Sequence, residues 1–221
     1  ATEIGAGCGS TGWVYSTAAQ HQWQIGMYDV AAQDDVWGND PLAIAASSYS
    51  PGGTAVETEG GYRITGKWLY CSGVLNADWM ILGARIATDA GSDPYTQGYI
   101  LVPKADYAVE DNWDVMGLRS TASYDYKIDS DVPADRTFSM FGFTRHRGGK
   151  QFDLGILHLT EIGHAGWALG VMRRAIDEAA VTELEHFLSA RWALLTERRQ
   201  QLLYGQVLHP RWPLHRVEQV E

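Results

Sequence analysis

Ser72 draws attention first because of the residues around it. The stretch from Gly60 to Gly73 contains a glycine turn, a strand-like run and then a small hydroxyl residue between Cys71 and Gly73. Small neighbours leave the backbone accessible, and the hydroxyl adds a hydrogen-bonding group. The pattern predicts a strand end against which a flat ligand can lie, although a serine there also commonly bonds to its own backbone.

His21 is the second residue with useful chemistry. It lies between two glutamines in an alanine- and glutamine-rich run, with Trp23 two residues further on. A neutral imidazole near pH 7 can accept a proton from a phenol or orient the phenolate that forms. A histidine that is only packed and hydrogen-bonded within a helix explains the same residue, so both interpretations stay open.

Arg119, Thr121 and Ser123 form a cationic, hydroxyl-rich cluster. A planar guanidinium with short hydroxyl donors suits a phosphate or a ring that becomes anionic on reduction. A Ser/Thr-rich turn with a surface arginine is the alternative. No Cys-x-x-Cys, His-Glu-x-x-His or other ligand spacing is present, so no metal site is predicted.

Composition excludes several classes of protein. The 221 residues are 45% hydrophobic and 20% charged, which is typical of a soluble globular chain. A net charge of -10 without a basic stripe argues against nucleic acid, and no apolar window reaches the ~18 residues that a spanning helix needs. The two cysteines are far apart and indicate reduced thiols of a cytoplasmic protein.

The elements that must position these residues are helical at both ends and β in the middle. Helices are predicted over Gly12–Tyr28 and Ala31–Trp37, with an N-cap at Ser10 or Thr11, followed by a loop over 47–53. The predicted strands are Ala55–Glu59, Tyr62–Tyr70, Trp79–Ile86, Gly98–Val102, Ala108–Asp111 and Tyr124–Asp129. A polar turn is predicted over 88–96. Helices return over 152–180, where glycines favour close helix–helix approach, and over 182–204, before a break at 209–213.

Three blocks of this sequence resemble the acyl-CoA dehydrogenase superfamily. The first is the Gly60–Gly73 stretch followed by Ala-Asp-Trp at 77–79, and the second runs from Trp113 to Arg136 through Gly-Leu-Arg-Ser-Thr-Ala-Ser and Val-Pro. The third, between residues 9 and 51, is similar to the two-component flavin-dependent monooxygenases, in particular the hydroxylases of phenols and steroid-derived phenols. The second block departs from the usual pattern, with Ser120 and Ala122 where glycines are common.

The resemblance implies an α+β, acyl-CoA dehydrogenase-like fold with a central β-sandwich or barrel domain flanked by α-helices. Residues 1–50 would end an N-terminal helical domain, 51–140 would form the middle β-domain, and 141–221 would begin a C-terminal helical domain. No family motif is visible beyond residue 180. Because family members are longer, a fragment of a three-domain protein is expected, and the family also implies a homotetramer.

The resemblance also implies a function. Such an oxygenase component takes reduced FMN or FAD from a separate flavin reductase and hydroxylates a small phenolic substrate through a C4a-hydroperoxide. His21 and Ser72 would be catalytic, with Ser72 beside flavin N5. The residues that the resemblance assigns to the flavin are Ser72, Cys71, Arg119, Thr121 and Ser123. Those that it assigns to the substrate are His21, Trp23, Ser47 and Ser48, with Ser48 favoured over Ser47.

Two alternatives remain. An acyl-CoA dehydrogenase that oxidises acyl-CoA with FAD would keep the fold, but the Ser47–Pro51 loop replaces the Glu-Pro-x-x-Gly-Ser-Asp type motif of those enzymes. The base of those enzymes also lies in or after a C-terminal bundle that is not visible here. The other alternative is a truncated, non-catalytic fragment whose only activity is self-association.

Overall fold

The computed structural model describes residues 1–87, 97–139 and 146–208. Contacts divide the chain into two compact units, Ala1–Arg173 and Arg174–Glu221. The polar turn expected over 88–96 and the helix break expected over 209–213 lie outside the described residues.

Three helices open the first unit and a long one closes it. They are α1 (Thr2–Gly7), α2 (Gly9–Ile25), α3 (Val30–Trp37) and α4 (Gly155–Leu208), the last of which continues into the second unit. The Asp29 side chain caps α3 by accepting a hydrogen bond from the Ala31 N–H at 3.0 Å. The N-cap of α2 is Cys8 in an extended conformation, not the predicted Ser10 or Thr11.

The strands between these helices pair in one mixed, eight-stranded sheet. They are β1 (Ala45–Ser48), β2 (Gly53–Thr58), β3 (Gly61–Cys71), β4 (Trp79–Ala87), β5 (Gln97–Pro103), β6 (Tyr107–Glu110), β7 (Tyr124–Pro133) and β8 (Thr137–Ser139). The order is β6-β7-β3-β2-β4-β5-β8, and β1 pairs with β4. The β1–β4 and β2–β4 pairs are parallel, and the remaining pairs are antiparallel.

The sheet is buried on both faces around β4 and β5. Alternate side chains of a strand point to opposite faces. Met80 and Leu82 therefore join one core cluster with Trp68. Ile81 points to the other face and joins a second cluster with Tyr28, which lies three residues after the end of α2. The packing of the second cluster brings α2 onto the sheet beside β1.

The α+β class is confirmed, as are six predicted strands, with shifted ends. The prediction missed β1 and the short β8. It placed Ser47 and Ser48, the last two residues of β1, in a loop, because Ala-Ala-Ser-Ser contains no β-branched or aromatic residue. The predicted helices over 152–180 and 182–204 are a single helix, since nothing in the sequence between them interrupts it.

Glycines on the first part of α4 do permit close helix approach. A Cβ added at Gly170 would lie 2.1 Å from the carbonyl oxygen of Thr2, and one at Gly163 would lie 1.9 Å from the Gln20 amide nitrogen. The contacts that these glycines permit are therefore made to α1 and α2 of the same chain.

The described part of the second unit is helical. An ion pair joins Arg174 to Glu178 one turn along, and the Thr182 hydroxyl donates to the Glu178 carbonyl at 2.9 Å. The predicted apolar face of this segment, Leu184, Leu188, Trp192 and Leu195, is exposed within the chain. None of the helices in the described ranges combines the length and apolar character that crossing a bilayer requires.

Candidate functional site

A cavity of about 340 Å³ opens in the first unit between α2, the end of β1, the end of β3 and the start of α4. We call it the His21 cleft. Its polar lining includes His21, Ser47 and Ser72, which the sequence analysis singled out, and His164, which it did not. The structure thus places side chains that lie 25 or more positions apart in the sequence around the same cavity.

The His21 ring is fixed at both nitrogens. Its Nδ1 lies 2.7 Å from the carbonyl oxygen of Ala45, which can only accept, so Nδ1 carries the proton. Its Nε2 lies 2.7 Å from Ser47 Oγ and therefore accepts the serine proton. Burial of the ring lowers the pKa of His21 from 6.5 to about 4, so the imidazole is neutral at pH 7.

The two serines at the end of β1 have different partners. Ser47 donates to His21, whereas the Ser48 hydroxyl donates to the carbonyl oxygen of Leu69 at 2.7 Å. Both line the His21 cleft, but the proton of Ser48 holds β1 to the irregular end of β3. The geometry therefore points to Ser47 as the serine that works with His21, in contrast to the preference for Ser48.

Ser72 belongs to a line of hydrogen bonds that we call the hydroxyl chain, made of Trp13, Ser72, Ser123 and Thr121. Trp13 Nε1 donates to Ser72 Oγ at 2.9 Å, Ser72 Oγ lies 2.8 Å from Ser123 Oγ, and Ser123 Oγ lies 2.7 Å from Thr121 Oγ1. Ser72 is partly exposed, while Ser123 and Thr121 are buried. Two of the predicted flavin ligands thus stand behind Ser72 and support it.

The backbone around the hydroxyl chain is held in unusual conformations. Leu118 and Ala122 have φ of 54° and 46°, and Tyr70, at the irregular end of β3, has φ of 58°. Such conformations cost free energy and persist only where surrounding contacts impose them. Here the Gly73 N–H donates to the Thr121 carbonyl oxygen at 2.8 Å, which ties the two segments together.

Three other predicted site residues lie elsewhere. Trp23 stacks on Phe152 with ring centroids 5.2 Å apart and lines a second cavity, so the structure does not bring it to the His21 cleft. Cys71 is buried behind Ser72 with its Sγ 3.4 Å from Met80 Sδ, and burial raises the pKa of its thiol. Arg119 is exposed, beside the hydroxyl chain in sequence.

Sequence reasoning missed the roles of Trp13, Gln20 and His164. The Trp13 ring lies 4.8 Å from the His164 ring, and Gln20 Nε2 donates to the Thr160 carbonyl at 3.4 Å, so both residues connect α2 to α4. A signal for the α2 residues was available. Positions 13, 17, 20 and 21 follow the i, i+4, i+7, i+8 spacing of one helix face. No local signal exists for His164.

In the described ranges, no group of three or more His, Cys, Asp or Glu side chains is arranged to hold a metal ion. The polar side chains that line the His21 cleft are instead mainly hydroxyls and imidazoles, with the Gln20 amide beside them, and such groups suit an organic ligand with hydrogen-bonding edges. A cavity of this size lies near the lower end of the ~300–1,000 Å³ range of small-molecule sites.

Several known proteins are similar to this chain in sequence and in fold. Over 143 residues the chain is 38% identical to the flavin-dependent monooxygenase oxygenase subunit HsaA of Mycobacterium tuberculosis. The aligned residues make up 64% of this chain and 36% of that protein. It is 39% identical over 152 residues to the oxygenase component of the FADH(2)-dependent resorcinol hydroxylase of Rhizobium sp., covering 68% and 37%. The structure of XiaF from Streptomyces sp. in complex with FADH2 and glycerol matches with a TM-score of 0.71 and 32% identity, covering 81% of this chain and 46% of that one.

The chain spans little more than a third of the length of these two curated relatives. A different family, DUF2071, described as an uncharacterized conserved protein, matches residues 129–221. The sequence analysis found no motif beyond residue 180 and missed this likeness. The range begins inside β7, which pairs with both β3 and β6, so its first residues are part of the eight-stranded sheet.

Proposed function

We propose, from the premise that the matched part of this chain belongs to the flavin-dependent monooxygenases of acyl-CoA dehydrogenase-like fold, that the His21 cleft serves the hydroxylation of a phenolic substrate by reduced flavin and O₂. The observation that carries the proposal is the pairing of Ser47 with a neutral, buried His21 on the same cavity as Ser72. In this proposal, Ser47 faces the substrate hydroxyl and Ser72 faces the flavin.

The residues present fit a flavin by their chemistry. Ser72 offers a hydroxyl oxygen on the cleft wall, exposed Tyr70 also lines the cleft with its ring 6.3 Å from that of Trp113, and Arg119 adds a cation on the neighbouring loop. Flat rings pack against aromatic faces, and a guanidinium suits a phosphate. Reduced FMN or FAD held there supplies two electrons, so that one atom of O₂ enters the aromatic ring and the other leaves as water.

Ser47 is the residue that we assign to the substrate hydroxyl. Its proton is committed to His21 Nε2, so its oxygen can accept a hydrogen bond from a phenol O–H. His21 acts through Ser47 as a positioning residue, because its own acceptor nitrogen is already occupied. Direct transfer of the phenol proton to His21 would place a charge on a ring whose pKa is about 4, which burial disfavours.

The chain's expected partners are also proposals. A separate reductase would supply the reduced flavin, and no nicotinamide site is expected within this chain because that reductase would carry out the hydride chemistry. Assembly into a homotetramer and a cytoplasmic location remain expectations. Gly163 and Gly170 of α4 pack against α2 and α1 of the same chain, so these glycines give the tetramer no support. Both cysteines are free, which suits a reducing compartment.

The test mixes the chain with chemically reduced flavin, isotopically labelled O₂ and a panel of phenols. We expect hydroxylated product with one labelled oxygen, detected by mass spectrometry. Ser47→Ala should lower the yield of product per flavin oxidised, whereas Ser130→Ala on β7, outside the cleft, should not. Hydrogen peroxide as the only oxygen product across the panel contradicts the proposal. Failure of the chain to bind either flavin supports the non-catalytic fragment instead.

A further inference from the structure

The protons of the hydroxyl chain can be assigned by elimination. Thr121 Oγ1 lies 2.9 Å from the carbonyl oxygen of Leu118, which can only accept, so Thr121 spends its one proton there. Thr121 must then accept from Ser123 across their 2.7 Å contact. The single proton of Ser123 is thereby used, so Ser123 accepts from Ser72 across 2.8 Å.

This order leaves Ser72 without a proton for any ligand. Its hydrogen points to Ser123, and one of its two lone pairs accepts from Trp13 Nε1 at 2.9 Å. One lone pair remains on a partly exposed oxygen that lines the His21 cleft. Ser72 is therefore a hydrogen-bond acceptor towards the cleft, whereas an isolated serine can rotate its hydroxyl and both donate and accept.

Water cannot rearrange these hydrogen bonds by offering the two buried hydroxyls other partners. Thr121 is 1% exposed and Ser123 is 4% exposed, so water does not reach their hydroxyls to offer other partners. The Thr121 backbone is bonded to Gly73, and the left-handed residues Leu118 and Ala122 fix the turn that carries Thr121. Reversing the chain would leave the Thr121 hydroxyl oxygen and the Leu118 carbonyl oxygen facing each other at 2.9 Å with no proton between them, which two acceptors oppose.

We propose that the hydroxyl chain makes the His21 cleft selective for the oxidation state of its cofactor, because Ser72 can only accept. This inference rests on the proposed function. The N5 atom of a flavin reverses its role on reduction: it is an acceptor in oxidised flavin and an N–H donor in reduced flavin. With Ser72 beside N5, as the family resemblance implies, Ser72 satisfies reduced flavin and opposes oxidised flavin with two facing lone pairs. Ser123 and Thr121 are the positioning residues that impose this preference.

The preference has a use in an enzyme that receives its flavin from elsewhere. A site that binds the oxidised form weakly releases the spent cofactor and leaves room for the reduced form. Binding that favours the reduced form also raises the midpoint potential of the bound flavin above that of free flavin. A tenfold preference corresponds to about 30 mV for a two-electron couple.

The experiment titrates the 221-residue chain with oxidised and with reduced FMN under anaerobic conditions and takes the ratio of the two dissociation constants. We expect the wild-type chain to bind reduced FMN more tightly. Ser123→Ala releases the Ser72 proton, so oxidised FMN gains a donor and the ratio falls towards one, by about tenfold. Trp13→Phe frees a lone pair of Ser72 but leaves its proton on Ser123, so the preference should persist.

Thr121→Val provides a second route if Ser123→Ala does not fold, which thermal unfolding will show. It removes the oxygen that accepts the Ser123 proton, so the ratio of the dissociation constants of oxidised and reduced FMN should again fall towards one. The inference is overturned if the variants that fold bind both forms with the wild-type ratio, or if wild type binds them equally. Binding of neither form by wild type overturns the proposed function as well, so the two failures are distinguishable.

Discussion

Acid should destabilise this chain through His21. The ring is 3% exposed, donates to the Ala45 carbonyl and accepts from Ser47, so the folded chain accommodates it as a neutral group. Protonation would convert Nε2 from an acceptor into a donor facing a hydroxyl that now donates to it. The perturbation is therefore a fall in pH, compared between wild type and His21→Gln.

The magnitude follows from the two pKa values. Burial lowers the pKa of His21 from 6.5 to about 4, so the unfolded chain binds the proton first as the pH falls. The stability that the neutral ring provides is complete above pH 6.5 and is lost progressively as the pH falls to about 4. That gap corresponds to roughly 3 kcal/mol in the free energy of unfolding.

Urea unfolding followed by tryptophan fluorescence measures this free energy at each pH. Between about pH 7 and pH 4 the wild-type chain should lose roughly 3 kcal/mol more than His21→Gln, which has no group to protonate. His146→Gln, at an exposed histidine, is the matched control and should follow wild type. Parallel losses in wild type and His21→Gln would refute the reasoning, since the ring would then titrate alike in both states.

Three further predictions concern single residues of the site and of the packing around it. Ser47→Ala should raise the dissociation constant of a phenol by about tenfold in equilibrium titration, because one hydrogen bond is lost. Ser48→Ala should instead lower stability by about 1 kcal/mol while leaving phenol affinity near wild type, since its hydroxyl holds a main-chain carbonyl of β3. Gly170→Ala should lower the free energy of unfolding by about 1–3 kcal/mol, because its Cβ would lie 2.1 Å from a carbonyl oxygen of α1. Gly117→Ala, which meets nothing within 4 Å, should stay within about 0.5 kcal/mol, and equal losses in the two glycine variants would contradict the packing argument.

The middle of the sheet could be predicted because its strands are rich in β-branched and aromatic residues bounded by turn residues. The strand that carries Ser47 could not. Ala45 to Ser48 becomes a strand through parallel pairing with β4 and burial beneath α2, and neither contact leaves a trace in the local sequence. The loop predicted over 47–53 therefore began two residues too early, although the serines themselves had been identified.

The misplacement of Trp23 was avoidable. Residues two apart on a helix point to nearly opposite sides, so His21 and Trp23 cannot share a face of α2. Trp13, eight residues before His21, does share that face and contacts Ser72. By contrast, the pairing of Ser123 and Thr121 behind Ser72 depends on the turn that two left-handed residues close, which sequence spacing does not reveal.

The two serines that face the His21 cleft have the same hydrogen-bonding character for different reasons. Ser47 gives its proton to a histidine that burial keeps neutral, and Ser72 gives its proton to the buried hydroxyl chain. Both oxygens therefore accept and neither donates. A phenol that keeps its proton and a reduced flavin each present a donor, whereas a phenolate and an oxidised flavin present acceptors that these serines oppose. Under the proposed function, the cleft would therefore favour the two reactants in the protonation and oxidation states that precede the reaction, and Ser47 would hold the phenol as a neutral molecule.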